Sequence, residues 1–153
     1  MSLSLENAGK VRQKCYEYVL PNLAFKSLQA FFMYWASHKA NADLQFLPFS
    51  EAECDVAGGT VKADAACTLY FAYVKKAASD TDNYFKVFDD ATDDSTTTDQ
   101  RLVLPLFISG GYSAWADSDG LPLGTGAVVT QHTTSEGVTD GSDGGSGFLI
   151  IGA

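Results

Sequence analysis

Residues 68–88, TLYFAYVKKAASDTDNYFKVF, contain two short apolar runs separated by a polar stretch, and this alternation decides the fold class. Both runs contain β-branched and aromatic residues and have the length of a strand. Similar runs follow along the chain at Leu102–Ile108, Leu121–Val129 and Phe148–Ile151. Clusters of Gly, Asp, Ser and Thr separate them, as in strands joined by turns. We predict a mainly β protein, an antiparallel β-sandwich or a jelly-roll-like barrel.

The length of the chain, 153 residues, is that of one domain. We predict a single β-sandwich domain over residues 1–153, with an N-terminal arm at 1–20, an aromatic-rich segment at 22–40 and the main strands at 61–153. The intervening run LQFLPF at 44–49 contains a proline, which confines it to an edge strand or a turn.

The aromatic-rich segment 22–40 is open to two interpretations. Four of its large side chains recur at the spacing of one helical face, which favours a helix: Phe25, Leu28, Phe32 and Trp35. Because Phe31 and its neighbours are apolar on other sides, such a helix would be buried on more than one side. The alternative is a long strand that is covered on both faces. These aromatics either fill the core of the domain or form part of a contact with another subunit.

Charge is distributed unevenly along the chain, which has a net charge of −9. Residues 1–50 hold five basic and three acidic side chains, whereas residues 51–153 hold five basic and sixteen acidic ones. An acidic surface repels nucleic acids and anionic membranes, so we expect neither as a partner. The charge keeps the protein soluble, and in a sharper interpretation the mildly basic N-terminal third docks on a larger partner.

The cysteines and the N-terminus indicate a reducing compartment. Cys15, Cys54 and Cys67 are odd in number and far apart, with no CxxC spacing. The first residues do not have the pattern of a secretion signal, so we expect synthesis in the cytoplasm. We predict that all three thiols are reduced, with a Cys54–Cys67 disulfide as the minor alternative.

No catalytic, cofactor or metal site is predicted from the residue pattern. The acidic loops hold carboxylate clusters at Asp89–Asp94, Asp117–Asp119 and Asp140–Asp143, but none has the EF-hand spacing, and such clusters commonly form turns. His38 and His132 are the two histidines, and no GxSxG motif accompanies them. We expect His132 to be a polar strand or loop position and the protein not to be an enzyme.

Three stretches of the C-terminal half resemble β-sandwich structural proteins of tailed-phage virions. They are TLYFAYVKKAASDTDNYFKVFDDAT, RLVLPLFISGGYSAWADSDGLPLGTGAVVTQHTTSEG and GFLIIGA, within residues 67–153. The resemblance implies a virion protein made in the host cytoplasm and placed on the capsid surface, a decoration or cement protein. The partner that it implies is the major capsid protein or another virion protein.

A cement protein joins neighbouring capsomers, which requires several contacts at once. A symmetric trimer with a reaching arm or helix supplies them, so we expect a homo-oligomer, with a trimer favoured. The candidate partner contacts are the basic residues of the arm and aromatics of the following segment: Lys10, Arg12, Lys14, Phe25, Phe31 and Trp35.

A glycan-binding module, or an adhesin or fibre component of a virion, is the alternative function. Its evidence is one aromatic pair near a loop, Tyr112 and Trp115. Residues three apart in a strand point to opposite faces, so this pair would need a bulge or turn to stack on one sugar.

Overall fold

The computed structural model describes residues 44–79, 81–92, 96–141 and 144–152. The predicted arm, the aromatic-rich segment and all six candidate contact residues lie outside these ranges. The elements in chain order are β1 (Leu44–Phe49), α1 (Glu51–Cys54), β2 (Thr60–Ala63), β3 (Cys67–Lys76), β4 (Asn83–Phe88), a 3-10 turn (Thr97–Asp99), β5 (Gln100–Leu106), β6 (Tyr112–Leu123), β7 (Ala127–His132) and β8 (Gly145–Gly152).

The strands form two four-stranded sheets, and all neighbouring strands within each sheet are antiparallel. Sheet A has the order β1-β8-β3-β6, and sheet B has the order β2-β7-β4-β5. Among the described strands, β4 and β5 are the only consecutive pair within one sheet; every other connection crosses between the sheets. This is the strand order of a jelly roll. The predicted antiparallel β-sandwich is therefore confirmed.

The hydrophobic core lies between the two sheets. Sheet A contributes alternate residues of each strand, including Ala72 and Val74 of β3 and Leu149 of β8, and sheet B contributes Phe85 and Val87 of β4. The ring of Phe85 stacks on Phe49 with centroids 4.9 Å apart. Alternation with a period of two places these side chains on one face of each strand.

All three prolines within the described strands lie in edge strands, as predicted for Pro48. Pro48 is in β1, an edge strand of sheet A, and Pro105 is in β5, an edge strand of sheet B. Pro122 is in β6, the other edge strand of sheet A. A central strand pairs on both sides and needs every amide hydrogen for these pairings. Proline has no amide hydrogen, so it is tolerated in an edge strand, where one side is unpaired. The neighbouring residues of β5 bury their side chains in the core: Leu102, Leu104 and Leu106.

The first described strand of the sandwich, at Leu44–Phe49, precedes the predicted start of the main strands at residue 61 and is the segment predicted as an edge strand or a turn. Strand β1 pairs with β8, where Leu47 is opposite Leu149, and this pairing joins segments that are far apart in the sequence. A second difference is that the apolar run at 121–129 is divided between β6 and β7, because the glycines of GTG form a turn. Local pattern does not show that β1 pairs with β8.

Each sheet has a second face, which points away from the core. We call the outward residues of sheet A the outer A face: Leu44, Phe46, Phe71, Tyr73, Phe148 and Ile150. We call those of sheet B the outer B face: Tyr84, Lys86, Phe88, Val128, Thr130 and His132. Most of these side chains are buried, so both sheets are covered on two sides.

Candidate docking surface

The connection between β5 and β6 projects an apolar turn from the edge of the sandwich. The amide of Gly111 donates to the carbonyl of Ile108 across 2.8 Å, which closes the turn. Gly110 has φ +69°, a left-handed conformation that favours glycine. A Cβ at Gly110 would meet no atom within 4 Å, so the backbone angle alone explains the glycine.

Three large apolar side chains surround this turn: Phe107, Ile108 and Tyr112. We call them the hairpin tip, although β5 and β6 belong to different sheets. Their exposed fractions are 49%, 76% and 37%, which are high for side chains of this kind. Two of them are held by neighbouring rings. Phe107 packs edge-on against Tyr84 at 5.2 Å, and Tyr112 stacks on Tyr73 at 5.8 Å. The hairpin tip is thus an apolar patch in a defined conformation, and such patches mark contact sites with other proteins.

A cavity of about 150 Å³ lies beside the hairpin tip, between Leu106, Gly111 and the side chain of Lys76. Lys76 is buried, and its ammonium group donates to the carbonyl of Ser79 across 2.8 Å. Lys75, the preceding residue, is exposed. These two lysines are two of the five basic residues in the acidic part of the chain. The one exposed lysine of this pair, Lys75, lies opposite Tyr112 in the sheet, so a basic side chain stands beside the apolar tip.

A polar cluster occupies the outer B face, where Lys86, Thr130 and His132 are almost completely buried. Residues 133–141 fold back over them. The Lys86 ammonium donates to the carbonyl of Gly137 across 2.7 Å, and Gln100 Nε2 donates to the carbonyl of Ser135 across 3.1 Å. His132 is the last residue of β7, so it has the first of the two predicted positions, strand or loop.

Burial lowers the pKa of both titratable groups in this cluster. For His132, desolvation is the largest cause, the nearby Lys86 charge lowers the pKa further, and Asp140 at 3.7 Å opposes them. Desolvation alone lowers the pKa of Lys86. Within the described part of the chain, Thr130 Oγ1 and His132 Nδ1 have no hydrogen-bond partner. The cluster holds the covering loop in place.

Asp89, from the predicted acidic loop, is a structural residue. Its carboxylate accepts hydrogen bonds from the amides of Gly124 and Thr125 at 2.9 and 2.8 Å, and from the Thr125 hydroxyl at 2.8 Å. Burial acts to raise the pKa of Asp89, but these hydrogen bonds outweigh it and hold the pKa below its usual value. Asp89 thereby ties the end of β4 to the β6–β7 turn.

The aromatic pair considered for glycan binding does not form one platform. Tyr112 is exposed on the outer side of sheet A, whereas Trp115 packs against the core between the sheets. The prediction that residues three apart point to opposite faces is confirmed. A sugar could stack on Tyr112 but not on both rings.

The other predicted residues fall into two groups. Cys54 and Cys67 are free thiols, the first of them buried in the core, and burial raises the pKa of each. Asp117 accepts from the amide of Asp119, as in a turn. Several side chains named from the sequence lie outside the described residues: Cys15, His38, Asp93, Asp94 and Asp143.

Sequence reasoning missed the two buried lysines, Lys76 and Lys86. A lysine at an alternate position of a strand is typical of a solvent-facing side, so its local pattern predicts exposure. The sequence feature that could have indicated the burial of Lys86 is the long loop after β7, which is rich in Gly, Ser and Thr. In the structure its Gly137 carbonyl accepts the Lys86 hydrogen bond. Nothing in the loop's composition specifies which sheet it covers.

Within the described ranges, no group of three or more His, Cys, Asp or Glu residues is arranged to hold a metal ion. No helix in the same part of the chain has the length and apolar character needed to cross a membrane. Comparison with known proteins found no matching family model, no matching curated protein and no matching solved structure.

Proposed function

We propose that this protein is a virion structural protein of the decoration or cement type, located on a phage capsid surface. The observation that carries the proposal is the hairpin tip, an exposed apolar patch beside a cavity on an otherwise acidic body. Such patches are typical of protein contacts. The resemblance of residues 67–153 to tailed-phage proteins supplies the class of partner, the major capsid protein or another virion protein.

The fold and the charge distribution support this role. Jelly rolls occur in viral capsid proteins, although the same fold also serves lectins and metal-dependent enzymes. The many carboxylates of residues 51–153 would face outward and keep decorated particles mutually repulsive. Lys10, Arg12 and Lys14, with aromatics of the next segment, would supply further contacts. In this proposal the protein acts without catalysis, as a homotrimer.

A sedimentation assay with capsid shells tests the proposal. The full chain is mixed with expanded shells, and saturable cosedimentation is expected. The variant Phe107→Ser, Ile108→Ser should bind at least about tenfold more weakly, since losing two apolar anchors removes several kcal/mol of contact energy. Its unfolding free energy should fall by only about 1 kcal/mol, the size of the lost Phe107–Tyr84 aromatic pair, because the rest of both side chains is largely exposed.

Val56 and Val138 provide a matched control, since they are 47% and 45% exposed and do not belong to the connection between β5 and β6. The double variant Val56→Ser, Val138→Ser should bind shells like the unmodified protein. Failure of the unmodified protein to cosediment would overturn the function. Full binding by the hairpin-tip variant would remove this surface from the contact.

The predicted arm is tested in the same assay. Deletion of residues 1–20 should abolish shell binding while the circular dichroism spectrum of the sandwich is kept. Retained binding would show that Lys10, Arg12 and Lys14 are not contacts. The glycan-binding alternative receives less support, because Tyr112 and Trp115 face opposite sides of sheet A.

A further inference from the structure

The outer A face is as apolar as the core on the other side of the same sheet. Three aromatic rings surround Phe148: Phe46 at 4.9 Å, Tyr73 at 5.5 Å and Phe71 at 5.7 Å between centroids. The rings of Phe71 and Tyr73 are nearly parallel to that of Phe148, at 16° and 24°. Offset stacking of this kind stabilises a packed apolar layer.

This layer is buried within the single chain. Phe71, Phe148 and Ile150 have no exposed surface, although sheet B and α1 pack on the opposite side of sheet A. Exposure returns at the margin, where Ala114 and Ala116 of β6 are exposed. The buried area therefore covers β8, β3 and the part of β1 near Leu44, since Pro48 at the other end of β1 is exposed, and it ends at β6. This is the outline of an element laid across these strands.

We infer that residues 24–38 of the same chain lie across the outer A face and form a third layer of the domain. The chain before β1 is 43 residues long, and it joins sheet A at Leu44, on the edge strand of this face. As a helix, residues 24–38 would be roughly 22 Å long, comparable to the length of a seven-residue strand. The link at 39–43 can span at most about 17 Å, enough to return from the face to Leu44.

The composition of the segment fits this position. Its helical spacing places Phe25, Leu28, Phe32 and Trp35 on one side, which would pack on the aromatic layer. Such contacts remove a large apolar area from water, at about 25 cal/mol for each Å². This inference does not rest on the proposed function, but it divides the predicted contacts. Phe25 and Trp35 would be enclosed, which leaves Phe31 and the basic arm for a partner.

Hydrogen exchange of the full chain, followed by mass spectrometry, tests the inference. Amides of residues 24–38 should be protected in the unmodified protein. Phe148→Ala removes the ring at the centre of the outer A face and should speed exchange in residues 24–38 by at least about tenfold. Phe148→Leu, which keeps most of the side-chain volume, should have a smaller effect in the same segment and provides a variant that stays folded.

Phe85→Ala is the matched control, since Phe85 is equally buried but lies in the core between the sheets. It should speed exchange in the strands without a selective effect on residues 24–38. Unprotected amides in this segment of the unmodified protein would overturn the inference. So would an equal response of the segment to the Phe148 and Phe85 variants.

The source of the covering segment is settled by dilution. If each chain covers its own face, protection of residues 24–38 should be the same at concentrations where light scattering shows oligomer and where it shows monomer. Loss of protection in the monomer would mean that a second copy supplies the cover, and it would overturn the inference as stated. Capsid binding is not part of either readout, so failure here is distinct from failure of the proposed function.

Discussion

The outer faces of the two sheets are both buried, but one is apolar and the other contains buried polar and charged groups. The outer A face is a layer of stacked aromatic rings, centred on Phe148. The outer B face includes Lys86 and His132, and the loop at 133–141 covers it through backbone carbonyl groups. An apolar face needs only shape from its cover, whereas a buried ammonium needs a hydrogen-bond acceptor at a fixed place. The cover of sheet B must therefore be more specific in its conformation.

The largest effect is expected on the aromatic side. Phe148→Ala should lower the unfolding free energy by about 3–5 kcal/mol, because it removes a completely buried ring and leaves a cavity. Chemical denaturation followed by circular dichroism measures the loss. Tyr112→Ala, at the exposed margin of the same layer, should cost only about 1 kcal/mol, the size of one aromatic pair. Equal losses would contradict a layer that is buried at its centre and open at its margin.

A smaller effect is expected where a polar side chain ties sheet B to its neighbours. Asp89→Asn should cost about 1–3 kcal/mol, because the amides of Gly124 and Thr125 lose a charged acceptor in a half-buried place. Asp117→Asn, at an exposed turn, is the control and should change stability by less than about 0.5 kcal/mol. The denaturation midpoints of the two variants measure this difference in stability. A similar midpoint for both would mean that the Asp89 contacts contribute no net stability.

The polar face should also make stability depend on pH. The pKa of His132 in the folded state lies below its ordinary value of about 6.5 in an unfolded chain. As the pH falls below about 6.5, the unfolded chain takes up a proton that the folded chain does not, so stability decreases by at most about 1.4 kcal/mol per pH unit. The decrease ends when the pH has passed the folded pKa.

The difference between the unmodified protein and His132→Gln isolates this contribution, since the other titratable groups are common to both. Urea unfolding at several pH values from 7.5 down to 5 measures it. The stability of the unmodified protein relative to His132→Gln should fall as the pH falls. A constant difference over this range would show that His132 titrates alike in the folded and unfolded chains.

The smallest effect concerns a hydroxyl of the outer B face. Thr130 Oγ1 is buried and has no hydrogen-bond partner in the part of the chain that the structure describes. Thr130→Val should therefore leave stability unchanged or raise it by up to about 1 kcal/mol. Thr60→Val is the comparison, since the Thr60 hydroxyl donates to the carbonyl of Glu53 across 2.7 Å and its loss should cost about 1 kcal/mol. Thermal unfolding of both variants tests the contrast, and a clear loss for Thr130→Val would reveal a partner for its hydroxyl.

The core face could be predicted from the sequence, because it depends on local alternation. Leu102, Leu104 and Leu106 fall on one side of β5 by their spacing alone, and Pro105 places that strand at an edge. The run around Phe71 and Tyr73 is apolar at consecutive positions, which correctly indicates a strand covered on both faces.

The rest depends on segments distant in sequence. From the local sequence Lys86 is expected to face solvent, since the carbonyl that accepts its hydrogen bond belongs to Gly137, 51 residues further along the chain. The exposure of the hairpin tip could not be predicted from the sequence either. Phe107 and Ile108 continue the apolar run of β5, and only the early end of that strand at Leu106 leaves them exposed.

The pairing of β1 with β8 has a consequence for the order of events during synthesis. The first and last of the described strands lie side by side in sheet A, where β8 separates β1 from β3. A nascent chain that has not yet released β8 from the ribosome cannot close this sheet, however much of the earlier sequence has emerged. Closure between distant segments is slow and leaves strand edges open in the meantime. We therefore expect the domain to fold after translation of β8, and to depend on chaperones during that interval.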